Sequence, residues 1–144
     1  MSNAGHRQEL RPHLRDEQVP GDSVIVVRGG PASLATLATH ARRTHDALML
    51  DGQSLWGVSV FCALDDIRPS SLDGLLRRFA SYRVVHLPRA GQLRAARFEL
   101  LPSFGRPHFT VRVGDDGPVE LGRLFEALGR EEPNPYHGRG PGRR

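Results

Sequence analysis

The sequence predicts an α+β domain: a mixed sheet of about five strands with helices packed on it, in the order β-α-β-α-β-α-β-β-α. Three observations lead there. Two nearly continuous apolar runs, Ser23-Val24-Ile25-Val26-Val27-Arg28 and Leu55-Trp56-Gly57-Val58-Ser59-Val60-Phe61-Cys62, read as strands covered on both faces. Segments with apolar residues at 3.6-residue spacing alternate with the strands. Two short strand-like stretches, residues 98–101 and 107–113, flank Pro102-Ser103-Phe104-Gly105-Arg106 and read as a hairpin, which argues against a purely parallel, doubly wound sheet.

In order along the chain, Gly29-Gly30 stops the first strand and Pro31 suits the first turn of a helix. Leu34, Leu37, Ala38, Ala41 and Leu48 fall on one side of that helix, which is expected to run to about Asp46. His45 lies in the apolar stripe, as a satisfied core histidine would, and His40 lies on the polar side. After the second strand, Ser70 and Asp73 have capping-box spacing and open a helix with Leu72, Leu75, Leu76 and Phe79 inward. Residues 83–87 form a short strand, and about Arg89 to Ala96 a short helix. The last helix, Val119 to Leu128, turns Leu121, Leu124, Phe125 and Leu128 to the core, and Gly129 ends it.

One domain is expected, residues 23–130, because the chain has 144 residues. Residues 1–22 mix Pro and charge without periodicity and read as a flexible arm. Residues 131–144 are rich in Pro, Gly and Arg and read as a flexible basic tail. The lone Cys62 sits in an apolar run, so a buried core thiol accounts for it better than a nucleophile. With no disulfide partner and no apolar leader, it points to a reducing, cytoplasmic setting. No apolar run is long enough to span a membrane. No spacing of His, Cys, Asp and Glu reproduces a metal site, and no glycine-rich phosphate loop is present, so neither metal nor cofactor is expected.

Charge is unevenly distributed. All 20 basic side chains are Arg, and the formal net charge is +4. Residues 77–112 carry a net +7, whereas residues 113–132 carry −4. If Arg77, Arg78, Arg94, Arg97, Arg106 and Arg112 project the same way, they form an anion-binding surface suited to a nucleic-acid backbone. The alternative is ordinary solvated faces with Arg paired to neighbouring carboxylates. Phe61, Phe79, Phe98, Phe109 and Phe125 read as core, leaving Tyr82, Phe104 and Tyr136 as the aromatic residues able to stack on a base.

Two fragments bear on catalysis. Alternation along residues 107–113 puts His108, Thr110 and Arg112 on one exposed strand face, with Glu99 across the hairpin near Thr110. His108-Phe109-Thr110-Val111 resembles one of the two His-x-Thr-x motifs of the 2H phosphoesterase family, which implies His108 as acid/base and Thr110 as phosphate contact. Neither His45-Asp46-Ala47-Leu48 nor His86-Leu87-Pro88-Arg89 supplies the second copy. Arg28-Gly29 followed by Ser59 is similar to the Arg and Ser elements of ADP-ribosyltransferase toxins, which implies that Arg28 binds phosphate and Ser59 shapes the site. Their late catalytic Glu has its nearest counterpart in Glu120, at the start of a predicted helix.

The leading expectation is therefore a small binding domain that engages nucleic acid or another anionic partner through an Arg-rich surface that includes Arg28. A toxin-like enzyme acting on RNA or a nucleotide is the first alternative. A protein-interaction adaptor with an acidic partner is the second.

Overall fold

The computed structural model describes residues 20–65 and 70–138 and, of the segment before them, the backbone of Gln8–Glu9, strand β1. The elements that follow are β2 (Val26–Gly29), α1 (Leu34–Ala47), β3 (Leu48–Leu50), β4 (Gln53–Ser54), β5 (Gly57–Cys62) and α2 (Leu72–Arg78). Then come β6 (Val84–His86), α3 (Ala90–Ala95), β7 (Glu99–Pro102), β8 (His108–Arg112), α4 (Pro118–Leu128) and β9 (Glu131–Pro133).

The α+β class is as expected, but the main sheet is neither mixed nor five-stranded. Six strands run in the order β7-β8-β5-β2-β6-β9, and every pair is antiparallel. Among the described residues the one parallel pair, β1 with β3, lies in a separate three-stranded sheet ordered β1-β3-β4. No helix among the described residues is long and apolar enough to cross a membrane.

Period-two alternation divides the main sheet's side chains between two faces. On the first face, Val26, Val58, Val60, Cys62, Leu100, Phe109 and Val111 meet α1, α3 and α4 through Leu37, Ala41, Leu93, Leu121 and Leu124. Burial pushes the Cys62 thiol up to about 12, so it stays protonated and inert. On the second face, Leu75 of α2 covers Val27 and Val85, while Leu48, Leu50 and Leu55 form a smaller cluster with Leu101 of β7.

Helix starts follow local chemistry. Ser33 accepts from the Thr36 N–H while Thr36 accepts from the Ser33 N–H, a reciprocal box that opens α1. Helix α2 is capped by Ser71, bonded to the Gly74 N–H, rather than by Ser70. Pro118 begins α4, and Gly129 ends it at φ 76°. Leu48 fits the stripe of α1 but belongs to β3, because the chain passes from helix to strand without a loop.

Phe125 is also displaced from its expected place in the core, at 41% exposed. His45, expected in the core, lies flat on Trp56, with ring centroids 3.8 Å apart.

The tail expected from residue 131 begins instead with β9, which pairs with β6. Beyond it Asn134, 5% exposed, donates to the carbonyls of Leu76 and Phe79 and so satisfies the end of α2. Tyr136 follows, its ring under the Arg77 guanidinium and its hydroxyl bonded to Asp73. Residues 1–7, 10–19 and 139–144, which make up most of the expected arm and the end of the expected tail, lie outside the described residues.

His86 ties the sheet to its helices. Its Nε2 accepts the Ala32 N–H at 3.2 Å, which leaves the ring proton on Nδ1, donated to the Gly129 carbonyl at 2.9 Å. One buried imidazole thus links the approach to α1 with the end of α4.

Packing makes a specific stability forecast at the glycines. A Cβ on Gly57 would lie 2.9 Å from the Val111 carbonyl and nearer still to Thr110 Cγ2, so Gly57→Ala is expected to destabilise the protein by about 1–3 kcal/mol. Gly122→Ala, in an open position of α4, is expected to stabilise by about 0.5–1 kcal/mol. Urea unfolding of the two variants measures both, and equal midpoints would contradict this packing.

Candidate oxyanion site

Arg28 lies where β2 parts from one neighbour. The β2–β5 ladder holds Val26↔Cys62 and Val27↔Phe61 and goes no further, whereas Arg28 and Gly29 pair with β6. Side-chain alternation sends Arg28 to the same face as Val26, under α1. There its Nη1 donates to the Ser59 carbonyl at 3.2 Å and its Nη2 to His40 Nδ1 at 2.7 Å. The residue is 9% exposed, and among the described residues it has no carboxylate partner and its buried Nε–H has no acceptor. Burial lowers its pKa, with the Tyr82 hydroxyl opposing, but a guanidinium remains charged at neutral pH.

His40 is shaped by this neighbour. A guanidinium only donates, so Nδ1 must be the acceptor, and the neutral ring carries its proton on Nε2. Burial, with Arg28 and Arg43 nearby, pushes His40 down to about 4. The cluster therefore presents donors only: the unused N–H groups of Arg28 and the Nε2–H of His40. Sequence reasoning pointed to Arg28 and Ser59 and the structure brings them together, although Ser59 takes part through its backbone carbonyl. His40 was placed on the polar side with no role; its spacing from Arg28 carried no signal because the two meet across the helix–sheet interface. Glu120 does not join them, since its carboxylate is committed to the Gly114 N–H and to Arg123.

The second expected centre, on β8, is rearranged. Thr110 is fully buried against β5, not exposed, and its hydroxyl meets Ser103 Oγ at 2.7 Å. It has no free face for a phosphate. Glu99 pairs with Arg112 rather than near Thr110. His108 is half-buried, edge-on to Phe61 and Phe104, and its Nδ1 lies 3.0 Å from the Ser103 carbonyl and 2.8 Å from Ser103 Oγ. The carbonyl accepts only, so Nδ1 holds the proton and Nε2 keeps its lone pair. Burial lowers the His108 pKa, the bond to Ser103 works against that, and Arg78 lowers it further. Ser103, which sequence reasoning missed, is the residue that orients this ring.

The remaining arginines do not converge. Arg77 and Arg78 sit on α2, over one face of the sheet, whereas Arg94 lies on α3, over the other, and Arg97 just past its end. Arg77 pairs with Asp73, Arg94 with Asp22, Arg106 with Asp65 and Arg112 with Glu99. Arg78 lies over the Phe61 ring. Four of the segment's eight arginines are thus ion-paired, three of them with carboxylates from outside it. No known protein family, curated protein or solved structure matches the chain.

The depressed His40 value has a sign that titration reads. Between the ordinary value of 6.5 and about 4 the unfolded chain binds a proton that the folded one refuses. Stability is therefore present in full above 6.5 and lost as pH falls through that window, with His108 acting in the same direction. Proton NMR of the histidine rings is expected to find a His40 midpoint near 4 that moves upward in Arg28→Gln. A wild-type midpoint near 6.5 would contradict the described contact.

Proposed function

We propose that this domain binds a compact oxyanion, a phosphate group in particular, at Arg28. The observation that carries the reading is a guanidinium 9% exposed, with an orphaned Nε–H and no carboxylate partner among the described residues. An uncompensated buried charge opposes folding, and a well-packed apolar residue fills such a position at lower cost. Retaining the charge is accounted for if an anion completes it. The donor-only lining fits an oxyanion, and the depth of the guanidinium fits a terminal group better than a polymer backbone. The arginines of residues 77–112, half of them ion-paired and the set divided between two faces, lend less support to one extended nucleic-acid surface or to an acidic protein partner.

Calorimetric titration with inorganic phosphate at neutral pH tests the reading. Wild-type protein is expected to bind, and Arg28→Gln to bind about tenfold to a hundredfold more weakly, the range for a lost charge-assisted contact. Arg28→Met separates this from a purely structural role: without ligand it is expected to unfold within about 1 kcal/mol of wild type, as when a buried charge gives way to an apolar side chain. A loss of several kcal/mol in Arg28→Met, with no phosphate binding by wild type, would sink the proposal.

The fixed tautomer of His108 supports a second reading, proton transfer at Nε2 in a toxin-like phosphodiesterase. If that holds, turnover of RNA or a cyclic phosphodiester by wild type is abolished in His108→Ala and reduced in Ser103→Ala. Turnover that survives His108→Ala would remove it.

A further inference from the structure

The face of the sheet opposite Arg28 carries a second pairing of a guanidinium with an imidazole. Phe61 and His108 are direct partners across β5 and β8, so alternation sends both side chains to the face that α2 covers. Arg78, the last residue of α2, lays its guanidinium over the Phe61 ring, 4.5 Å from the centroid. The His108 ring stands 5.0 Å from that same centroid. One phenyl ring thus seats a cation and an imidazole on one face of the sheet. Arg78 is exposed and, among the described residues, has neither a carboxylate nor any other hydrogen-bond partner. His108 spends its Nδ1–H on Ser103, which leaves the Nε2 lone pair without a donor among those residues. Phe104, 52% exposed, borders the same imidazole at 5.1 Å.

An uncommitted cation near an uncommitted acceptor nitrogen complements a ligand in which an anionic oxygen lies next to a hydroxyl. The guanidinium takes the anion, and the lone pair accepts the hydroxyl proton. A ribose joined to a 3′-phosphodiester presents these two groups on adjacent carbons, and the 2′-hydroxyl is what separates RNA from DNA. Exposed Phe104 adds a flat ring on which a neighbouring base can stack. We infer that Arg78 and His108 form one subsite for RNA, with the phosphodiester on Arg78 and the adjacent 2′-hydroxyl on His108 Nε2. The inference rests on the proton-transfer reading of His108 and adds to it a substrate class and a second residue. In the step, Nε2 takes the 2′-hydroxyl proton, the 2′-oxygen bonds to phosphorus and the P–O5′ bond breaks. The departing 5′-oxygen takes a proton from water, and His108 returns its own to solvent. Arg78 meets the charge that gathers on the phosphoryl oxygens. Burial above all, and the Arg78 charge with it, hold the His108 pKa down against the Ser103 bond, which keeps the ring able to accept a proton at neutral pH.

The test offers the full chain an RNA oligonucleotide, its 2′-deoxy counterpart and a 2′,3′-cyclic mononucleotide. Turnover is counted only in excess of that of His108→Ala, so a trace nuclease does not register. Wild type is expected to cut the RNA to 2′,3′-cyclic phosphate and 5′-hydroxyl ends and to leave the deoxy strand intact. Arg78→Gln, a change at an exposed side chain, is expected to lower kcat/KM for RNA about tenfold to a hundredfold, the range for a lost charge-assisted contact, and Arg78→Lys to restore part of it. Cleavage of the deoxy strand at a comparable rate, or RNA cleavage unchanged in Arg78→Gln, would overturn this inference and leave the His108 reading standing. So would turnover of the cyclic phosphodiester alone. Absence of turnover on all three overturns both.

Discussion

A buried cation at a fork in the sheet is the constraint around which the candidate site is arranged. Strand β2 follows β5 for two paired residues and then stays only with β6, which leaves the Ser59 carbonyl without a ladder donor from β2. The Arg28 guanidinium supplies that donor and at the same time fixes His40 on α1, so strand, neighbouring strand and helix share one side chain. A lysine has no fork with which to bridge a carbonyl and an imidazole. The glycines immediately after it let Tyr82 close over the backbone, and His86, paired opposite Arg28, fastens β6 to the ends of α1 and α4.

Much of this architecture was legible in the residues. The runs 23–28 and 55–62, the amphipathic helices and the 98–113 hairpin all fall within a few residues of their observed bounds, because each carries its periodicity locally. What escaped was structure whose reason is tertiary. Strand β3 was hidden because Leu48 satisfies the helical stripe of α1 as well as a strand's alternation. Strand β9, Glu131-Glu132-Pro133, has almost no strand propensity and exists because an edge of β6 was available. Sheet direction was also out of reach, since a helix between two strands is compatible with either sense once other strands come between them.

The site was legible to a different degree. Arg28 and Ser59 drew attention as fragments, yet the property that distinguishes Arg28 from the other arginines, burial without a carboxylate, is invisible in a linear charge count. The +7 segment illustrates the converse. Arg94 finds Asp22 and Arg106 finds Asp65, acidic partners far away in sequence, so a concentration of charge along the chain did not become one in space. Thr110 kept its predicted face of β8, but that face is covered where it stands, and its hydroxyl turns to Ser103. Tyr82 was among the aromatics left outside the core, and only the glycines beneath its ring show what it borders.

The most direct test of the central claim is to follow the arginine Nε–H signals in ¹⁵N-resolved NMR spectra while inorganic phosphate is added. A buried Nε–H without an acceptor exchanges slowly and reports directly on an arriving anion. The account predicts that the Arg28 signal, assigned by its loss in Arg28→Gln, moves and saturates at phosphate concentrations that leave the ion-paired arginines unchanged. A stationary Arg28 signal, or parallel small shifts across many arginines, would mean that phosphate meets this protein only as a diffuse counter-ion and would contradict the assignment of the site.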